Sequence, residues 1–225
     1  MKISPTLTEV KEIAKTGKYD ILPVNCEILS DFITPIEAMR ILQNVSTHCY
    51  LLESAQANEA WGRYTFLGYD PKLEINCIDG HMKLGKLSVE TENPSEYIRQ
   101  ILSEYKSPKF DYLPSFTGGL VGYFSYDYLG YKEKSIRGKA RDTEDFKDVD
   151  LMLFDKVIAF DNLCQKIILI ANMSLDAPET GYNKAIVELK QLRELLMHGE
   201  KKQNMGGKLL GEVTRFLKRS SIVIW

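Results

Sequence analysis

Two adjacent polar residues, Glu53 and Ser54, follow an apolar run at residues 50–52, and their side chains could bind a small charged molecule. This run and a second extended run at residues 63–67 predict two strands joined by a polar connector. A carboxylate and a hydroxyl at the exit of a strand are held in place and remain accessible. The alternative is structural: Ser54 would cap the connector, and Glu53 would pair with Arg63.

Residue types suited to catalysis or metal binding are scattered through the rest of the sequence. The three histidines lie far apart, and the four cysteines form no CxxC pair. We therefore expect reduced cysteines in the core, with no catalytic triad and no metal cluster.

The run at residues 116–131 is rich in glycine and aromatic residues. It lacks the lysine of a Walker loop and the glycine order of a dinucleotide-binding fold. Its glycines, Gly118, Gly119 and Gly122, therefore indicate a strand that another strand or a ligand approaches closely. A bulged central strand packed beneath a helix is at least as good an interpretation as direct contact with a ligand.

The composition is that of a globular protein without a preference for nucleic acid. The chain has 225 residues, of which 44% are hydrophobic, which suffices for one large domain or two small ones. A net charge of -2 gives no electrostatic indication of binding to nucleic acids or anionic membranes. Because neither a signal-peptide pattern nor an apolar run of membrane-spanning length is present, we expect a cytoplasmic protein.

Periodicity and turn residues predict both helices and antiparallel strands. Helices are predicted at residues 5–15, 34–45, 94–105 and 178–198. A strand is predicted at residues 21–29, and hairpins are predicted at 73–87 and 151–171. The first hairpin contains an Asp79-Gly80 pair, which favours a type I′ turn. The predicted fold class is α+β, a mainly antiparallel β-sheet with packed helices.

The composition changes after Gly199. Basic residues, the adjacent glycines Gly206 and Gly207, and an apolar end follow. We therefore expect one domain at residues 1–200 and a linker with an aberrant or truncated tail at residues 201–225. A linker that leads to no further sequence is typical of a chain that stops before its next domain.

Five motifs resemble one known family in their order and spacing. They are TPIE at residues 34–37, LLES at 51–54, GRYTFLG at 62–68, FTGGLVGYFSYD at 116–127 and the Phe160-Asp161 pair before a hairpin. Over about residues 19–214, the chain resembles the N-terminal region of anthranilate synthase component I, the large subunit of that enzyme. Component I of aminodeoxychorismate synthase, in folate synthesis, shares most of this pattern and is the alternative.

The resemblance implies a fold and an enzyme complex. The chain would form the N-terminal half of the fold of chorismate-utilising enzymes, in the enzyme that converts chorismate and ammonia or glutamine to anthranilate and pyruvate. This reaction is the first step of tryptophan biosynthesis. The family's large subunit pairs with a glutamine amidotransferase subunit and uses Mg²⁺ in a C-terminal chorismate-binding domain. That domain is expected to be absent here, through a shifted reading frame or an early stop, so we expect no catalytic or metal-binding residue in this chain.

The resemblance also implies an effector site, because the family residues equivalent to LLES help to bind the feedback inhibitor L-tryptophan. This assigns Leu52, Glu53 and Ser54 to the pocket, with Arg63 and Tyr64 as further contacts. Glu53 would bind the ammonium, Ser54 the carboxylate and Leu52 the indole. A non-catalytic effector-binding protein or an inert truncated product is the third hypothesis, from a different functional class.

Overall fold

A computed structural model describes residues 1–54, 62–133, 135 and 146–202. The strands in these residues form two sheets, and every strand pairing is antiparallel. Helices contribute residues to the apolar cluster of the six-stranded sheet and to that of the five-stranded sheet. This architecture confirms the predicted α+β class.

The elements of the described chain are as follows. The six-stranded sheet contains β1 (Ile3–Ser4), β2 (Ile21–Leu29), β3 (Cys49–Leu52), β4 (Tyr64–Tyr69), β10 (Lys156–Asp161) and β11 (Lys166–Ser174), in the order β1-β2-β11-β10-β4-β3. The five-stranded sheet contains β5 (Leu73–Ile78), β6 (His81–Leu84), β7 (Leu87–Glu90), β8 (Gly119–Phe124) and β9 (Val149–Phe154), in the order β7-β6-β5-β9-β8. The helices are α1 (Leu7–Lys15), α2 (Pro35–Val45), α3 (Pro94–Ser103) and α4 (Pro178–His198).

The helix starts largely follow the sequence signals. At α2, the Thr34 hydroxyl accepts a hydrogen bond from the Glu37 N–H at 3.3 Å, and the Glu37 carboxylate accepts one from the Thr34 N–H at 3.2 Å. Thr6 caps α1 through the same reciprocal arrangement. Asn93 forms no side-chain cap at α3; its Oδ1 accepts a hydrogen bond from the Ser95 hydroxyl at 2.7 Å instead. The first turns of α1 and α2 therefore each carry a complete capping box.

The six-stranded sheet buries apolar side chains on both faces. Helices α1, α2 and α4 cover one face, where Leu67 and Leu189 belong to the largest apolar cluster. On the opposite face, Val157 and Ile168 form a smaller cluster with Phe116 from the segment between α3 and β8. The central strands therefore lie between a helical layer and a shorter irregular cover.

The apolar run at residues 151–160 forms two strands, so the prediction of a single strand there is wrong. The chain leaves the five-stranded sheet after Phe154 and enters the six-stranded sheet at Lys156. At the crossing, the Asn172 amide donates to the carbonyls of Asp155 at 3.0 Å and Thr117 at 2.6 Å. Periodicity missed this break because apolar residues continue on both sides of it.

The glycine-rich run forms β8, which lies at the edge of its sheet and pairs with β9. A Cβ atom at Gly122 would lie 2.0 Å from the Asp150 carbonyl oxygen. The predicted close approach by another strand is therefore confirmed, and the interpretation as a central strand beneath a helix is wrong. A 3-10 turn at Tyr126–Tyr131 follows β8 and was not predicted.

Three further predictions have different outcomes. Asp79 and Gly80 have φ values of 49° and 84°, respectively, and both are positive as a type I′ turn requires. All four cysteines are free and Cys26 and Cys77 are buried, but Cys164 is exposed, so its predicted core position is wrong. Residues 203–225, which hold most of the predicted linker and tail, lie outside the described residues.

Within the described chain, none of the helices combines the length and apolar character needed to cross a bilayer.

Replacing Gly122 with alanine is expected to destabilise the five-stranded sheet. The new Cβ would overlap the Asp150 backbone, and the φ of +154° strains any L side chain. Gly119→Ala is the matched control, since Gly119 has a φ of +137° but its Cβ would lie 3.8 Å from the nearest atom. Urea unfolding should give a loss of about 3 kcal/mol for Gly122→Ala and about 1 kcal/mol for Gly119→Ala. Equal losses would contradict the close-approach explanation.

Candidate functional site

The residues predicted to bind an effector lie at one end of the β3–β4 pair. Leu52 is the last residue of the ladder, opposite Phe66, and is 47% exposed. Glu53 and Ser54 follow the ladder and are also exposed. The rest of the predicted connector, residues 55–61, lies outside the described residues. The structure therefore brings Leu52, Glu53 and Ser54 to the accessible end of a strand pair, as the sequence predicted.

An aromatic surface extends from this end of the pair across the sheet face opposite the helices. It consists of Tyr50, Tyr64, Phe66 and Phe116; Leu51, by strand alternation, packs on the helix-covered face instead. The ring centroids of Tyr64 and Phe66 are 5.8 Å apart, and those of Phe66 and Phe116 are 5.6 Å apart. Because Phe116 starts the glycine-rich motif, the fold brings three separate sequence motifs together on one surface.

Gly68, the last residue of the GRYTFLG motif, makes room for Tyr50. The two residues are opposite each other in the ladder, and a Cβ atom at Gly68 would lie 2.2 Å from Cε1 of the Tyr50 ring. The ring meets Phe154 edge-to-face, with centroids 4.7 Å apart. Within the described residues, the buried Tyr50 hydroxyl has no hydrogen-bond partner, and burial raises the pKa of this phenol. Sequence analysis missed this contact, although a glycine opposite an aromatic residue is its signal.

Arg63 pairs with Asp161 rather than with Glu53, which argues against the Glu53–Arg63 pair considered from the sequence. The Arg63 Nε donates to Asp161 Oδ1 at 3.1 Å, and Nη2 donates to Oδ2 at 2.7 Å. The guanidinium carbon lies 4.9 Å from the Tyr64 ring centroid, which is a cation–π distance. Arg63 thus connects a buried carboxylate to the aromatic surface. Asp161 was recognised only as part of a motif and was not predicted as a site residue.

The Asp161 carboxylate is ionised although its side chain has no exposed surface. Burial alone would raise its pKa, but hydrogen bonds from Arg63 and from the Cys164 N–H outweigh burial and lower the pKa to about 2. The hydrogen bonds to Asp161 raise the pKa of Arg63. Burial, followed by the Asp161 charge, raises the pKa of the Tyr64 phenol. At neutral pH the site therefore presents a fixed ion pair beside an uncharged phenol.

These groups are suited to binding an aromatic zwitterion. Leu52 and the aromatic surface can contact an aromatic ring, while Glu53 and Ser54 can bind an ammonium and a carboxylate. Among residues 1–54, 62–133, 135 and 146–202, no group of three or more His, Cys, Asp or Glu side chains could hold a metal ion. The described residues therefore do not fit a Mg²⁺ site, and we assign no metal-dependent step to them.

Tyr50→Phe is expected to raise the free energy of unfolding by about 1 kcal/mol, because a buried hydroxyl without a partner carries a desolvation cost. Tyr182→Phe is the matched control, since the buried Tyr182 hydroxyl donates to the Pro5 carbonyl at 3.0 Å. That control should lose about 1 kcal/mol in the same urea titration. Equal losses for both variants would indicate that the Tyr50 hydroxyl has a partner.

Asp161 is expected to stabilise the fold in a pH-dependent way. Its folded pKa of about 2 lies below the ordinary value of 3.8, so its contribution is fully present above about pH 4 and is lost as the pH falls towards 2. Urea unfolding of the wild type and Asp161→Asn should give a stability difference that shrinks by about 2 kcal/mol over this range. A difference that does not depend on pH would contradict the lowered pKa.

Comparison with known proteins relates the chain to one family of enzymes. No protein-family model matches it. It is 34% identical over 198 residues to anthranilate synthase component 1 of Acetivibrio thermocellus, and the match covers 85% of this chain and 39% of the relative. It is 35% identical over 196 residues to the protein of the same name in Pseudomonas aeruginosa, with 84% and 39% covered.

A solved structure with the same name is also similar. Anthranilate synthase component I from Streptococcus pneumoniae TIGR4 matches with a TM-score of 0.48 and 25% identity, covering 74% of this chain and 36% of that chain. The chain spans about two-fifths of the length of the curated relatives that it matches. In sequence, and over most of its own length, this chain is therefore a relative of anthranilate synthase component I.

Proposed function

We propose that this chain provides part of the L-tryptophan effector pocket of an anthranilate synthase component I. In this proposal Glu53 binds the ammonium of tryptophan, and Ser54 donates a hydrogen bond to its carboxylate. Leu52 contacts the indole beside Tyr64, which forms the end of the aromatic surface. The observation that carries the proposal is the exposed Leu52-Glu53-Ser54 sequence at the edge of an aromatic sheet face.

Arg63 has a supporting role in this proposal. Its Nε and Nη2 groups donate to Asp161, and its guanidinium lies over the Tyr64 ring. These contacts orient Tyr64 and leave the carboxylate of tryptophan to Ser54. Glu53, Ser54 and Leu52 therefore make the direct contacts, and Arg63 acts through Tyr64.

The reaction of the whole protein would be the conversion of chorismate and ammonia, supplied from glutamine, to anthranilate and pyruvate. A glutamine amidotransferase subunit would supply the ammonia. The names of the relatives described above favour this reaction over its counterpart in folate synthesis. In this proposal the catalytic groups and the Mg²⁺ ligands lie outside the described residues, among which no group of three or more His, Cys, Asp or Glu side chains could hold a metal ion.

Calorimetric titration with L-tryptophan tests the effector pocket. The wild-type chain should bind tryptophan with millimolar or tighter affinity, and Ser54→Arg should weaken binding at least about tenfold by blocking the carboxylate position. Ser88→Arg on β7 is the matched control, because it adds the same charge at an exposed serine of the other sheet. Unchanged affinity in Ser54→Arg would remove Ser54 from the pocket, and no binding by the wild type would contradict the proposed function.

A chorismate turnover assay tests where the chemistry lies. We expect this chain to produce no anthranilate from chorismate, ammonia and Mg²⁺, because it spans about two-fifths of the length of its relatives and its described residues include no group of three or more metal ligands. Fluorescence of anthranilate measures the product directly. Turnover by the chain alone would contradict the proposal that this chain contributes the effector pocket and not the active site.

A further inference from the structure

The turn between β10 and β11 forms hydrogen bonds with the residues at the start of β4. We call residues 161–165 the Asp161 turn. The Asn162 N–H donates to the Arg63 carbonyl at 2.9 Å. The Asn162 amide lies 3.5 Å from the Gly62 carbonyl and 3.3 Å from the hydroxyl of Thr65, a fully buried residue. Contacts from one short turn therefore reach residues on both sides of Arg63.

The Asp161 carboxylate is the centre of these contacts. It accepts two hydrogen bonds from Arg63, and Oδ1 also accepts the N–H groups of Leu163 at 3.2 Å and Cys164 at 3.0 Å. The same group therefore shapes its own turn and holds a residue 98 positions away in the chain. A carboxylamide cannot accept hydrogen bonds at both of its polar atoms, so Asp161→Asn would break this arrangement without changing its size.

The two ends of the connector are fixed by different interactions. Leu52 is fixed by its ladder pairing with Phe66, whereas Gly62 and Arg63 are fixed by the Asp161 turn. The β4–β10 ladder has four further pairs, from Tyr64 with Asp161 to Leu67 with Ile158, that do not require the ion pair. Loss of the ion pair should therefore loosen the end of the connector and leave the sheet formed.

From this geometry we infer that Asp161 is a positioning residue for the effector pocket. It holds Arg63, and through Arg63 it sets the position of Tyr64 and of the connector end, without touching the ligand. This inference depends on the proposed function for the ligand and on the contacts of the Asp161 turn for the mechanism. It assigns a role to the Phe160-Asp161 motif, which the proposed function leaves unexplained.

Hydrogen exchange and tryptophan titration of Asp161→Asn and Arg63→Lys test the inference. Arg63→Lys keeps the charge and removes the two-point contact. Both variants should increase amide exchange at residues 62–66 about tenfold, leave β2 and β11 protected, and weaken tryptophan binding about tenfold. Glu27→Gln is the matched control, because it breaks the 2.6 Å Lys166–Glu27 pair in the same sheet and should change neither measurement.

The outcomes separate this inference from the proposed function. Unchanged exchange at residues 62–66 in Asp161→Asn would overturn the inference, whether or not tryptophan binds. Faster exchange with unchanged tryptophan affinity would also overturn it, since Asp161 would then be structural only. If the wild type bound no tryptophan but Asp161→Asn still loosened these residues, the proposed function would fail and the positioning of the connector would stand.

Discussion

The central strands of the six-stranded sheet have apolar side chains on both faces, and the rest of the structure must cover these two faces. On one face, α1, α2 and α4 exclude water from Leu67, Leu169 and their neighbours. On the other, the segment before β8 helps to bury Val157 and Ile168 but leaves Tyr64 and Phe66 only partly buried. Because burial of apolar area is the main favourable term in folding, this two-sided sheet dictates where the helices and the connecting segments lie.

The less covered face is where the candidate site forms. The helices cover the opposite face of the sheet. On this face the segment before β8 leaves the rings of Tyr64 and Phe66 partly buried. Leu52 continues this surface at the edge of the sheet and is substantially exposed. An apolar surface of this kind, with polar groups at its rim, is suited to binding a ligand that is apolar at one end and charged at the other.

A buried charge fixes the site's geometry more strongly than apolar packing does. Asp161 is free of solvent and would be costly to bury alone, but Arg63 and two backbone N–H groups satisfy it. Since these hydrogen bonds have narrow distance and angle requirements, they define the position of Arg63 closely. Gly68 has a complementary effect through volume, because the Tyr50 ring occupies the space that a side chain would need.

The amino-acid sequence alone determined the four helices, most of the strands and the family, but neither the short strands β1 and β7 nor the 3-10 turn after β8. The Asp79-Gly80 pair marked a hairpin, and the LLES and GRYTFLG motifs located the candidate site. These features depend on local chemistry or on ordered motifs, which are visible in a single chain. Only the tertiary structure divided the run at residues 151–160 between two sheets, paired Arg63 with Asp161, and placed the Tyr50 ring over Gly68. These features join residues that are distant in sequence, and periodicity does not specify which distant residues become neighbours.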